Sequence, residues 1–298
     1  MIRLGIVDFD TSHAVEFTKR LNHIDIAEDQ WVNGAKVVAG VPGTSQIAPD
    51  TIPKNTETLK KYGITLYDDP AELFGKIDAV LVESVDGSVH LQRAMPFIEK
   101  GMPTYVDKPF ACSLADARAL VRAAETKHVP LMSSSSLRYA PEVVAARGGG
   151  SKLGAVVGVS TYGPAPTHPR NPGLFHYGIH PTEMLFTLMG PGCRRLSCLS
   201  TKGAEVTTGE WSDGRIASIR GIRDGSAAYG FTLFGTKGVA TQGVSTQYIY
   251  RELLKQIVSL FETRMPPIDL RETLEIVAFI EGAKTSADSG GAPVEIKI

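Results

Sequence analysis

The chain has 298 residues, 43% hydrophobic and 21% charged; that suits about two domains at ~150 residues each and excludes a disordered or low-complexity protein. Thirty-one basic residues against 32 acidic leave a net charge of −1, which carries no electrostatic footprint for nucleic acid or an anionic membrane. No apolar run reaches the ~18 residues of a membrane span, the three cysteines (Cys112, Cys193, Cys198) are too few and irregular for a disulfide framework or a zinc site, and a strand-like start at Met1-Ile2-Arg3 leaves no room for a signal peptide, so a cytoplasmic protein is expected.

The first ~135 residues alternate between short apolar and amphipathic runs. Residues 2–7 (IRLGIV) read as a buried strand ended by Asp8. Residues 12–22 (SHAVEFTKRLN) read as a helix with Thr11 or Ser12 as N-cap. Further strands are expected at 35–41, 78–82, 103–106 and 129–133, and helices at about 88–100 and 114–127. Strands alternating with helices imply a parallel, doubly wound sheet. Ligands of such sheets sit at the carboxyl ends of the strands.

The second half reads differently. Gly148-Gly149-Gly150 marks a loop near the join, 153–162 a strand, and 179–189 a helix stopped by Gly190-Pro191-Gly192. Closely spaced β runs follow at 194–200, 204–211, 215–222 and 227–235, which argue for an antiparallel sheet. Helices at about 246–263 and 270–288 and a strand at 293–298 complete the chain. The expected domains are 1–136, a Rossmann-like nucleotide-binding domain, and 137–298, a substrate and oligomerisation domain.

The turn after the first strand is Asp8-Phe9-Asp10-Thr11-Ser12-His13. A dinucleotide loop places glycines for the tight turn and the backbone's approach to pyrophosphate. Asp8, Asp10 and His13 stand at those three places. Carboxylates there repel a pyrophosphate, whereas the helix N-terminus and the Thr11 and Ser12 hydroxyls favour an anion. The second strand ends in Val41-Pro42-Gly43-Thr44-Ser45, with neither the acidic nor the basic residue that separates NAD from NADP. Asp8-Phe9-Asp10 also has the form of a phosphatase nucleophile motif, but without that motif's later acidic ligands.

Several segments together resemble the Gfo/Idh/MocA oxidoreductases. Asp78–His90 (DAVLVESVDGSVH) is similar to that family's strand and loop ending in His. Gly101–Ala111 (GMPTYVDKPFA) is similar to its Glu-Lys-Pro segment, with Asp107 for Glu. Leu137–Pro141 (LRYAP), Gly178–Glu183 (GIHPTE) and Phe279–Gly291 (FIEGAKTSADSGG) are similar to its Arg-aromatic-x-Pro, Gly-x-His-x-x-Asp and Gly-Gly segments. The resemblance implies an α/β fold: an N-terminal Rossmann doubly wound parallel sheet plus a C-terminal α/β domain with an open, mostly antiparallel sheet. It also implies a homo-oligomer.

Residue by residue, the resemblance implies that Lys108 is the catalytic lysine and His180 the catalytic histidine. His176 stands where the family commonly has Asp. Asp8, Phe9, Asp10, Thr11, Ser12, His13, Ser84, His90, Asp107 and Lys108 are the expected cofactor contacts. Arg138, Tyr162, Tyr177 and Glu183 are the expected substrate contacts. Glu83, Ser84 and Asp86 depart from the family's Ala-Thr-Pro-Asn loop. His176, His180 and Glu183 have a spacing that suits a divalent metal if the helix begins early, with Asp8, Asp10, His13 and His168 as further ligands; no metal ligand is assigned.

The expected function is an NAD(P)-dependent oxidoreductase acting on a sugar, polyol or related hydroxy compound. The alternatives keep the fold without nicotinamide redox activity. One is a metal-assisted lyase or hydrolase; the other is a non-catalytic sugar-binding protein.

Overall fold

A computed structural model describes residues 1–226 and 228–298. The chain divides into two compact units. The first comprises residues 1–111, 115–134 and 250–270; the second comprises 112–114, 135–249 and 271–298. Ser134 and Ser135 fall in different units, and the stretch 250–270 belongs to the first.

In the first unit six parallel strands lie in the order β3-β2-β1-β4-β5-β6. They are β1 (Ile2–Val7), β2 (Ala35–Val41), β3 (Thr65–Leu66), β4 (Ala79–Val82), β5 (Thr104–Val106) and β6 (Leu131–Met132). The helices are α1 (Ser12–Asn22), α2 (Thr51–Lys61), α3 (His90–Glu99) and α4 (Leu114–Lys127). β4 and β5 are buried along their whole length, as befits strands covered on both faces. β1 pairs with β2 on one side and β4 on the other. The strand order reverses there, and the crevice beyond the carboxyl ends of β1 and β4 is the ligand position of such sheets.

No element was expected between 44 and 77, yet α2 and β3 form there. Pro53 hides α2, because its ring suits only the first turn of a helix. β3 is too short to show an alternation. Helix α8 (Ile249–Thr263) starts three residues later than the expected 246. Its Leu253, Leu254, Ile257 and Leu260 are fully buried, and Tyr250 packs against Phe17 at 5.7 Å between ring centroids.

The second unit begins with α5 (Pro141–Ala146) and α6 (Gly150–Leu153). Its sheet has seven strands in the order β12-β11-β7-β10-β9-β8-β13. These are β7 (Val156–Pro164), β8 (Cys193–Ser200), β9 (Ala204–Trp211), β10 (Ile216–Ile222), β11 (Gly230–Gly235), β12 (Val239–Gly243) and β13 (Val294–Glu295). β7 and β10 pair in parallel and the other pairs are antiparallel. The sheet is therefore mixed, not wholly antiparallel. β7 starts at 156 because Leu153 ends α6. The expected strand at 227–235 runs from 230; residue 227 lies outside the described residues. β12 was not anticipated, and the final strand is shorter than 293–298.

Helices α7 (Ile179–Met189) and α9 (Leu270–Asp288) supply the apolar packing of this unit. Every residue of α7 is buried, so it reads as a core helix, not an amphipathic surface one. Phe186 meets Phe279 of α9 edge-on at 5.5 Å and Trp211 of β9 at 5.8 Å. Thr161 of β7 donates to the carbonyl of Pro181 at 2.9 Å. Alternate strand residues leave Leu199 and Val239 more than half exposed, at 67% and 62%.

Candidate functional site

Three neighbouring strands of the first unit end alike. Each has a valine followed by an acid: Val7-Asp8, Val82-Glu83 and Val106-Asp107. A parallel sheet delivers all three to the same edge. Asp8 is 1% exposed, and Glu83 and Asp107 are fully buried.

Asp8 has φ of 67°, a left-handed conformation that glycine adopts freely and Asp tolerates. The acid thus keeps the backbone form expected of the loop's first glycine. Its Oδ2 accepts from the Ser84 hydroxyl and from Arg93 Nε at 3.0 Å. Its Oδ1 lies against Gly43, so closely that a Cβ on that glycine would sit 1.7 Å away. Phe9 is fully buried and occupies the space beside Gly40, where a Cβ would meet its ring at 2.5 Å. Asp10 Oδ1 accepts from the Val85 amide at 3.0 Å. Burial raises the Asp10 carboxyl above its ordinary range, against the lowering effect of hydrogen bonds from Ser45 and Val85. Thr11 is the N-cap, accepting from the His13 amide at 3.3 Å; Ser12 is exposed. Asn55 of α2 donates to the carbonyls of Phe9 and Thr11 at 2.8 and 2.9 Å. Side chains, not glycines, set this loop.

His13 turns into the sheet edge. Its Nδ1 lies 2.8 Å from Asp107 Oδ2 and 3.8 Å from Glu83 Oε2. Its ring stacks on Phe17 at 4.7 Å and meets Tyr250 edge-on at 4.9 Å. Burial pushes the Asp107 carboxyl up, but the charges of His13 and Lys108 and the His13 hydrogen bond hold it well below the usual range. Glu83 goes the other way: burial, then the Asp107 charge, raise it well above the usual range despite Lys108. Lys108 is 7% exposed and sits within the field of both acids.

His90 is fully buried. Its Nδ1 meets the carbonyl of Pro109 at 2.8 Å, and its Nε2 that of Ser84 at 2.8 Å. It thereby clamps the loop after β4 to the Lys108-Pro109 turn, whose peptide bond is cis.

The second unit gathers a separate cluster. His180, at the start of α7, has Nδ1 2.7 Å from Ser135 Oγ. The rings of His168, His176, Tyr177, His180 and Tyr229 follow one another at 5.2 to 5.9 Å between centroids. Arg138 donates from Nε to Glu183 at 2.7 Å and lies 2.7 Å from Glu272 Oε1 through Nη1. Glu183 Oε1 also accepts from the Ser135 amide at 3.2 Å. Burial raises the Glu183 carboxyl against the lowering effect of Arg138. Arg138 and Glu183, expected at substrate, are thus partners of each other. Tyr177 is exposed, and Tyr162 lies over Gly230 of the neighbouring strand.

His176 precedes α7, which begins at Ile179, so His176, His180 and Glu183 do not share one helical face. Among the described residues, the one group of three potential metal ligands with converging donor atoms is His13, Glu83 and Asp107. His13 and Asp107 are expected near a cofactor from the sequence alone, whereas Glu83, Asn55, Arg93 and Ser135 carry no role there. The repeated Val-acid strand ends were the available signal for Glu83.

The fold and this edge define a Rossmann-type unit followed by a second α/β unit. The family model for the Gfo/Idh/MocA oxidoreductases, described as an oxidoreductase family with an NAD-binding Rossmann fold, matches residues 39–135. The resemblance to that family stands. No curated protein matches the chain. Among solved structures, the chain is similar to GenD2 from gentamicin A biosynthesis, in complex with NAD (18% identity, 100% of this chain and 97% of that one, TM-score 0.80). It is also similar to a probable dehydrogenase from Thermotoga maritima (18%, 99% of each chain, 0.79). A putative myo-inositol dehydrogenase from Sinorhizobium meliloti shares 17% identity over 100% of both chains, with a TM-score of 0.79. At these identities the likeness is one of fold.

Proposed function

We propose that the chain is an NAD(P)-dependent oxidoreductase acting on a sugar, polyol or related hydroxy compound. The observation that carries this reading is Lys108, buried just past the carboxyl end of β5 within the field of two buried acids, in a segment that the family model covers.

The loop after β1 fits a dinucleotide in altered form. Asp8 has the glycine-like backbone, and its charge is met by Arg93. Asp10 is turned onto the Val85 amide. The carboxylates are thus bound to the chain's own donors, which mutes the repulsion of a pyrophosphate. The α1 N-terminus, with Thr11 and Ser12, would hold the phosphates. A bound nicotinamide supplies hydride transfer.

The chain's own part is proton handling. Lys108 is assigned a hydrogen bond to the reacting oxygen, stabilising charge as it develops there. His180, with Nδ1 on Ser135, is assigned proton exchange through Nε2. His176 is its variant partner, and Tyr162 and Tyr177 are assigned substrate contacts. A cytoplasmic location goes with this reading; among the described residues no helix is long and apolar enough to cross a membrane. The exposed apolar residues of the second sheet, Leu199 and Val239 among them, support a homo-oligomer.

The test is reduction of NAD or NADP in the presence of a panel of sugars and polyols. Lys108→Ala is expected to lower kcat about 10²- to 10⁴-fold. Unchanged turnover in both Lys108→Ala and His180→Ala refutes the assignment.

A further inference from the structure

We infer that His13, Glu83 and Asp107 form a buried site for one divalent transition-metal ion, held through the imidazole Nδ1 and the two carboxylates. Two independent observations support it. The first is convergence. The donor atoms lie within 4.8 Å of one another, and the three residues come from separate places: the start of α1 and the ends of β4 and β5. His13 is 5% exposed and both acids are fully buried.

The second is Glu83 itself. Both of its carboxyl oxygens are buried, and neither has a hydrogen-bond partner. A carboxyl group in that position is costly in either protonation state and calls for an ion or other missing partner. His13 Nδ1 is 3.8 Å from Glu83 Oε2, too far for a hydrogen bond but within the span of ligands around one ion.

One imidazole and two carboxylates suit manganese, iron or zinc. The surroundings brace the ligands. Tyr105 donates its hydroxyl to Asp107 Oδ1 at 3.2 Å, and Phe17 and Tyr250 fix the imidazole plane. Such outer partners orient ligands in metal sites. Two carboxylates also balance a dication beside the charge of Lys108. This inference does not depend on hydride transfer, because the ion would bind without a nicotinamide cofactor.

The experiment uses tag-free, chelator-treated, cofactor-free protein. It is dialysed against Zn²⁺ or Mn²⁺, and bound metal is counted by mass spectrometry. The expected result is one ion per chain, with affinity lowered about tenfold or more in Glu83→Gln and binding lost in His13→Gln. Co²⁺ is the second readout: wild-type protein should show visible ligand-field absorption that Glu83→Gln weakens and Zn²⁺ displaces. Glu83→Gln replaces an unpartnered group of the same shape, so its fold, checked by thermal melting, should persist even if His13→Gln does not fold. No stoichiometric binding of either ion overturns the site. So does binding unchanged in Glu83→Gln, or binding lost in His176→Gln instead.

Discussion

His13 at the first turn of α1 and Asp107 at the end of β5 are joined at 2.8 Å, although they stand 94 positions apart in the chain. The pair ties the helix after the first strand to the segment that carries Lys108. His13→Ala leaves Asp107 buried without its partner, and the expected loss of stability is about 3–5 kcal/mol. Denaturant unfolding measures it. His13→Asn retains a donor and should lose less. Equal, small losses in both variants would show that the pair holds nothing together.

Gly43 and Asp8 should behave as one unit. Gly43 has φ of 67°, and an added Cβ would fall on Asp8 Oδ1. Gly43→Ala should therefore destabilise the protein by more than about 2 kcal/mol, from backbone strain plus the clash. Adding Asp8→Gly removes the clash but not the strain. A double-mutant cycle should show partial recovery; strict additivity would contradict the contact.

The Arg138 network predicts a different pattern. Arg138→Ala strands the buried Glu183 and the largely buried Glu272, and should cost about 3–5 kcal/mol. Arg138→Met combined with Glu183→Met removes charge from both sides and should recover part of that loss. If the double variant is the less stable, the ion pair is itself the stabilising element.

Glu16 gives a pH dependence with a definite sign. Burial raises its carboxyl, but Lys19 and Arg20, at 2.8 and 2.7 Å, hold it below the ordinary value. The folded state therefore binds this proton less tightly than the unfolded chain. The stabilisation is present above the ordinary carboxylate range and is lost as pH falls through the depressed value. Relative to wild type, Glu16→Gln should be less stable at neutral pH and converge in strong acid. The group is partly exposed, so the effect should shrink in high salt.

Most of the first unit is legible from local pattern. IRLGIV, AKVVAGV and DAVLV are short apolar runs bounded by polar residues, and the helices between them carry clear periodicity. Helix α2 escapes because Pro53 interrupts its pattern. The parallel pairing of β7 with β10 escapes because register between strands more than fifty residues apart leaves no local trace. The same reason hid the clustering of His13, Glu83 and Asp107. Each residue is visible, and Asp8, Asp10 and His13 stand out as the wrong side chains for a glycine-rich loop. That the loop keeps its shape through the φ of Asp8, the Asn55 bridge and the Arg93 ion pair depends on contacts from α2 and α3. Arg138 has two readings in the sequence, a substrate contact or a neighbouring carboxylate's partner, and only the packing of α7 and α9 brings Glu183 and Glu272 to it.

The most direct test of the central claim is calorimetric titration of purified, chelator-treated protein with NAD and NADP, each oxidised and reduced. The account predicts a micromolar dissociation constant for one pair, since the loop carboxylates are held by the chain's own donors. Absence of binding at millimolar concentrations of all four would contradict it. The side chains at the glycine positions would then have closed this edge to a dinucleotide.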